Sequence, residues 1–200
     1  MKEEERLLRE ACRGDRTAFE ALVKRYQGRV FWTAFQVIGH HEDARDVAQQ
    51  VFIQVWRSLH RYKPGRPLAA WLHRITVNSA IDTLRRRSAR PEDVGRGLPE
   101  DSRGLPAAAG GTAGLEEAEI QRIFLHLSRR LTGRQRAVFV LKEMNGLCTH
   151  EIAKVMGLQA STVRNHLHQA RRILRRGLAA LYPEYMPRGG KRRPGGEGQA

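Results

Sequence analysis

Glu151-Ile152-Ala153-Lys154-Val155-Met156-Gly157-Leu158-Gln159-Ala160-Ser161-Thr162-Val163-Arg164-Asn165-His166-Leu167 reads as two short helices crossing at a steep angle. Ala153 is small enough to let the second helix approach the first. Gly157, just past the first, can take the left-handed conformation that a tight reversal needs. Ile152, Leu158, Val163 and Leu167 form an apolar plug beneath the crossing, while Ser161, Thr162, Arg164, Asn165 and His168 face away from it. Such a pair is a helix-turn-helix. Its second helix fits the DNA major groove, with its N-terminal residues nearest the base edges. A plain helical hairpin in a small core is the alternative, and the small residue, glycine and apolar positions, all in register, favour the DNA-binding form.

Charge agrees with that reading. Across 200 residues, 36 Lys and Arg oppose 21 Asp and Glu, a formal net charge of +15. Such a surplus attracts polyanions through counterion release and carries no sequence preference. Its distribution is uneven. Residues 1–90 hold 18 basic and 10 acidic groups, residues 91–117 hold 2 and 6, and residues 118–200 hold 16 and 5. Two basic blocks therefore flank an acidic middle, and each block is long enough for a modest helical core of its own.

Other classes are disfavoured. The opening Met1-Lys2-Glu3-Glu4-Glu5 is unlike a secretory signal, and the uncharged run from Val30 to His41 is too short to span a bilayer, so a cytoplasmic protein without membrane insertion is expected. Cys12 and Cys148 stand far apart with no Cys-x-x-Cys partner, which predicts buried free thiols. His40-His41-Glu42-Asp43 resembles a ligand cluster, but adjacent helical residues point about 100° apart, so a loop before a helix start is the better reading. With no nucleophile–base pairing, phosphate loop or metal motif, no enzyme, cofactor, metal or small-molecule substrate is expected.

From Glu4 to about Arg90 the apolar period is helical: Leu7, Leu8, Ala11 and Cys12, then Phe19, Leu22, Val23, Tyr26, Val30 and Phe31. Gly39 ends that helix and Asp43 is the expected N-cap of the next, whose apolar face is Val47, Val51, Phe52, Val55 and Trp56. Pro64-Gly65-Arg66-Pro67 breaks the pattern before a helix from about Leu68 through Trp71, Leu72, Ile75, Ala80, Ile81 and Leu84. Residues 91–117, rich in Pro, Gly and Ala, read as a linker. A helix with Ile120, Ile123, Phe124 and Leu127 on one face follows from Glu116, then one capped by Thr132 with Val138, Phe139 and Leu141 inside it. Residues 183–200 read as a disordered basic tail. No alternating period appears, so the predicted fold is all-α, with two small helical domains at 1–90 and 118–182.

Beyond the helix-turn-helix, the run Ala44-Arg45-Asp46-Val47-Ala48-Gln49-Gln50-Val51-Phe52-Ile53-Gln54-Val55-Trp56 resembles the core-polymerase-binding segment of bacterial sigma factors of the extracytoplasmic-function (ECF) group. Trp71-Leu72-His73-Arg74-Ile75-Thr76-Val77-Asn78, followed by Ile81-Asp82-Thr83-Leu84-Arg85-Arg86-Arg87, resembles their minus-10 segment. Leu131, Gln135-Arg136, Val138-Phe139 and Leu141 resemble the opening of their second DNA-binding domain. The resemblance spans roughly residues 4 to 182, with three motifs in the family's order.

The resemblance implies that 1–90 is sigma region 2 and 118–182 sigma region 4. Asp46, Gln49, Gln50, Phe52 and Trp56 would then meet the clamp coiled coil of the polymerase's largest subunit. Asp46, Gln49 and Gln50 lie within about one helical turn, while Val47, Val51 and Val55 face inward. Gln50 stands where the family commonly has an acid. The minus-10 element would fall to Arg61, Tyr62, Lys63 and Arg66 in the loop and to His73, Arg74, Asn78, Asp82, Arg85 and Arg86 on the helix. Single-strand capture generally pairs basic groups on phosphates with aromatic faces on bases, and Tyr62 is the aromatic placed to stack, Trp71 being read as core. Leu68 stands where the family usually has Phe. The minus-35 element would fall to Ser161, Thr162, Arg164, Asn165 and His168, with Arg171 and Arg172 on phosphates.

In the family the acidic linker threads the polymerase channel. Expected partners are core RNA polymerase, promoter DNA in duplex and single-stranded form, and an anti-sigma factor. A stand-alone helix-turn-helix regulator is the main rival reading, and a nucleic-acid-binding protein acting by charge alone a more distant one. The segments at Asp46–Trp56 and Trp71–Arg87 speak against the first, the well-formed recognition helix against the second.

Overall fold

Eight α-helices occur among the described residues, which in this computed structural model are 2–62, 67–88 and 112–185. No strand occurs among them. Predictions that fall on Lys63, Arg66, most of the 91–117 linker and the end of the basic tail lie outside them.

Helices α1 (Lys2–Cys12), α2 (Arg16–Ile38), α3 (His41–Ser58) and α4 (Leu68–Ser88) form the N-terminal unit. Asp15 starts α2, its Oδ1 accepting from the Thr17 and Ala18 amides at 2.8 and 3.1 Å, which satisfies two donors that a helix start leaves open. Gly39 stops it with φ of 76°, its amide donating to the Phe35 carbonyl. The predicted inward positions of α2 and α3 hold: Leu22, Tyr26, Val30, Val47, Val51 and Val55 are all buried.

The cap of α3 differs from expectation. His40, not Asp43, is its N-cap, with its Nδ1 accepting from the Asp43 amide at 3.3 Å. Asp43 sits in the first turn and pairs with Arg87 of α4 at 2.5 Å, a cross-helix bond that a local capping rule cannot register. Both cysteines are exposed rather than buried, Cys12 being the last residue of α1 and Cys148 preceding the first of α7.

The C-terminal unit comprises α5 (Thr112–Ser128), α6 (Gly133–Phe139), α7 (Thr149–Met156) and α8 (Ala160–Leu181). Helix α5 begins four residues before the predicted Glu116. Ile123, Phe124 and Leu127 are buried on it as expected, but Ile120, a turn earlier, is 59% exposed. Thr132 and Gln135 form a reciprocal capping box that starts α6. From Val140 to Met144 the helix widens into a π-turn that ends with the Asn145 amide donating to the Val140 carbonyl. Leu141, Ile152 and Val163 are fully buried and join α6, α7 and α8.

The two units are not separate. Helix α6, the π-turn and α7 lie against α2 and α4, and buried residues of both units belong to one continuous cluster.

Candidate nucleic-acid interface

Gly157 carries the turn between α7 and α8 with φ of 64°, as the sequence predicted. Ile152, Val163 and Leu167 are buried beneath the crossing and Leu158 half-buried. On the opposite face of α8, Ser161, Arg164, Asn165 and His168 are exposed and Thr162 half-exposed. Arg172, Arg175 and Arg176 extend this face as exposed cations, while Arg171 pairs with Glu143 at 2.5 Å. The α8 N-terminus contributes its positive dipole end to the same surface. A chain of amides fixes Asn165: Gln135 donates to Gln169 at 2.7 Å, and Gln169 donates to the Asn165 side-chain oxygen at 3.3 Å.

On α4, Arg74, Asn78, Asp82, Arg85 and Arg86 are exposed along one side. His73 is not among them. It is 8% exposed, with no hydrogen-bond partner for Nε2, and burial lowers its pKa, with Arg29 adding to the effect and Glu151 of α7 opposing it. Arg61 is exposed in the short 3₁₀ turn after α3. Tyr62 is half-buried, its ring 5.6 Å from that of Trp71, and burial raises its pKa.

On α3, Asp46, Gln49 and Gln50 are exposed. Phe52 and Trp56 are half-buried and line an open groove of about 550 Å³ with Phe19, Val23, Ala48 and Ile53. Trp56 packs on Phe19 with ring centres 4.8 Å apart, and Ile53 is 44% exposed at the groove mouth. A second, polar cleft between α3 and α4 brings Asp46 and Gln50 together with Arg86. No group of three or more potential metal-ligating side chains occurs among the described residues, and no helix among them is long and apolar enough to cross a membrane.

Residues 22–90 match the family model for sigma-70 region 2, and residues 121–174 match that for sigma-70 region 4. The ECF sigma factor SigM of Mycobacterium tuberculosis is 32% identical over 173 residues, covering 84% of this chain and 81% of that protein. This chain belongs to the ECF sigma factors. It is a promoter-directing factor of RNA polymerase. SigE of Mycolicibacterium smegmatis is 35% identical over 179 residues, 83% of this chain; the match spans 65% of that longer protein. Among solved structures, CnrH in complex with the cytosolic domain of CnrY has a TM-score of 0.64 at 27% identity, covering 89% of this chain and 98% of that one. The sigma factor RpoE of Bartonella quintana, solved with the anti-sigma factor NepR, shares the fold with a TM-score of 0.63 at 22% identity, covering 80% of this chain and 96% of that one.

Four groups escaped the sequence reading: Thr33, Gly133, Arg136 and Asn145 meet across the two units. Their partners lie 99 and 112 residues away along the chain for Arg136 and Asn145 and about fifty for Gly133, and no local period marks them.

Proposed function

We propose that the N-terminal unit docks on core RNA polymerase through Asp46, Gln49, Gln50, Phe52 and Trp56. Its α4 then holds the non-template strand of the minus-10 element with Arg74, Asn78, Asp82, Arg85 and Arg86, joined by Arg61 and Tyr62. The C-terminal unit lays α8 in the major groove of the minus-35 element, with Arg164, Asn165 and His168 toward the bases and Arg171 and Arg172 toward phosphates. The observation that carries this reading is the two-sided α8, whose apolar side is buried while its polar side is presented to solvent. His73, being buried, takes no part.

The chain works in the cytoplasm, catalyses nothing, and leaves the chemistry to the polymerase. An anti-sigma partner is part of the reading, on the analogy of RpoE with NepR. The chain's two functional domains are residues 1–90 and 118–182, and the connecting linker of 91–117 runs into the start of α5 at Thr112. The test is in vitro transcription with sigma-free core polymerase on a genomic fragment library. Discrete starts sharing two spaced upstream elements are the expected result. Duplex binding without polymerase-dependent initiation would instead identify a stand-alone regulator.

A further inference from the structure

Helix α3 faces two different surfaces. Toward α2 it lines the apolar groove with Gln49, Phe52 and Trp56. Toward α4 it lines the polar cleft of about 230 Å³, where Asp43, Asp46 and Gln50 face Thr83, Arg86 and Arg87 over the buried Val47. The proposed docking set is therefore divided: Asp46 and Gln50 belong to the cleft, the other three to the groove.

Some polar groups of the cleft are already matched and some are not. Asp43 is paired with Arg87. Arg86 is held by a 3.2 Å bond from its Nη2 to the Thr83 hydroxyl, which leaves Nε and Nη1 to donate elsewhere. Asp46 and Gln50 are exposed and have no hydrogen-bond or ion-pair partner among the described residues. A carboxylate, an amide and a guanidinium with bonds still to make thus line one small space.

Their donors and acceptors select a ligand. Asp46 and Gln50 lie one turn apart on α3, with Cβ atoms about 5–6 Å apart. A carboxylate only accepts, and its two oxygens suit two parallel N–H donors, whereas an amide also donates. Among nucleic-acid bases, guanine offers two adjacent donors on its pairing edge, N1–H and N2–H, with the O6 acceptor beside them. Asp46 matches the two donors and the Gln50 amide matches O6. Adenine and cytosine would set a ring-nitrogen lone pair against the carboxylate, and uracil a carbonyl. The Arg86 fork suits the phosphate.

We propose that the α3–α4 cleft is a guanine-nucleotide site, in which Asp46 and Gln50 read the base and Arg86 holds the phosphate, and that a bound nucleotide keeps those side chains from core polymerase. The second clause rests on the docking reading above.

The test is equilibrium dialysis of the full free chain against GDP, guanosine, ADP and an oligothymidine strand holding one guanine. GDP binds saturably and ADP about tenfold more weakly, as expected when two hydrogen bonds are lost. Asp46→Asn, with unchanged helix content by circular dichroism, loses the preference for GDP over ADP. Arg86→Gln loses the preference for GDP over guanosine. Absent GDP binding, or equal binding of ADP, would overturn the site using the wild type alone. Binding of the guanine-bearing strand but not of GDP would assign the cleft to promoter DNA and also overturn it. In a second measurement, saturating GDP lowers the affinity of the dye-labelled chain for core polymerase and the same concentration of ADP does not. GDP that binds the free chain yet leaves this affinity unchanged would overturn the competition. A chain that never binds core polymerase would instead sink the docking reading, and the dialysis needs no polymerase.

Discussion

Gln135 donates its side-chain amide to Gln169 at 2.7 Å, which ties the first turn of α6 to the middle of the recognition helix. Gln135 already closes the capping box with Thr132, so one side chain starts a helix and braces its neighbour. Gln169 passes the constraint to Asn165, four residues earlier on the exposed face.

Replacing Gln169 with Ala removes both bonds and frees the Asn165 rotamer. A neutral hydrogen bond is worth about 1 kcal/mol. We therefore expect affinity for the minus-35 duplex to fall roughly fivefold, with little change in helix content. Fluorescence anisotropy on the isolated duplex reads this out, and unaltered affinity would show that Asn165 needs no bracing.

Gly157 makes a different prediction, because a Cβ there meets nothing within 4 Å. The cost of Gly157→Ala is then backbone strain alone, about 1–2 kcal/mol for an L-residue in the left-handed region. That lowers the melting temperature of the C-terminal unit by several degrees. Gly157→Asn loses less, since Asn tolerates this conformation. A melting curve in which Ala and Asn are equally harmless would refute the strain account.

Much of this architecture is legible along the chain because it rests on local rules. The period of Val47, Val51 and Val55, the capping pattern of Thr132 and Gln135 and the glycine at 157 each report on neighbours within a turn or two. Asp43 shows where such rules stop. Its residue type and position suit an N-cap, yet Arg87, 44 residues later, claims its carboxylate, and His40 takes the cap. His73 fails for the same reason in the site. Its place in the motif suggests a DNA-facing side chain, yet it is buried, within electrostatic reach of Arg29 on α2 and Glu151 on α7. Thr33 and Arg136 carry no local mark of their contacts, because those form only when two units meet.

His73 also sets a pH dependence. Its pKa in the fold lies below the ordinary 6.5 because burial penalises the charged ring. Unfolded chains therefore take up the proton first as pH falls. Stability associated with this group is full above about pH 6.5, declines below it, and levels off once the folded chain is protonated as well. Urea unfolding at pH 7.5 and 5.5 should show a larger acid loss in the wild type than in His73→Leu. An equal loss in both would mean that other groups carry the acid sensitivity.

Arg164 and Arg172 separate base reading from backbone attraction. Both are exposed on α8, but Arg164 lies in its first two turns, which the proposed docking puts nearest the groove floor, and Arg172 lies two turns further on. Arg164→Ala should cost about 1–3 kcal/mol on the preferred minus-35 sequence and relax the preference at one base position. Arg172→Ala should weaken all sequences alike and reduce the slope of log K against log salt by about one, as expected when a single phosphate contact is lost. Binding titrations across a set of singly substituted duplexes, each at several salt concentrations, distinguish the two behaviours. If Arg164→Ala weakened every duplex equally and shifted only the salt slope, it would be a phosphate contact, and base reading would rest with Asn165 and His168.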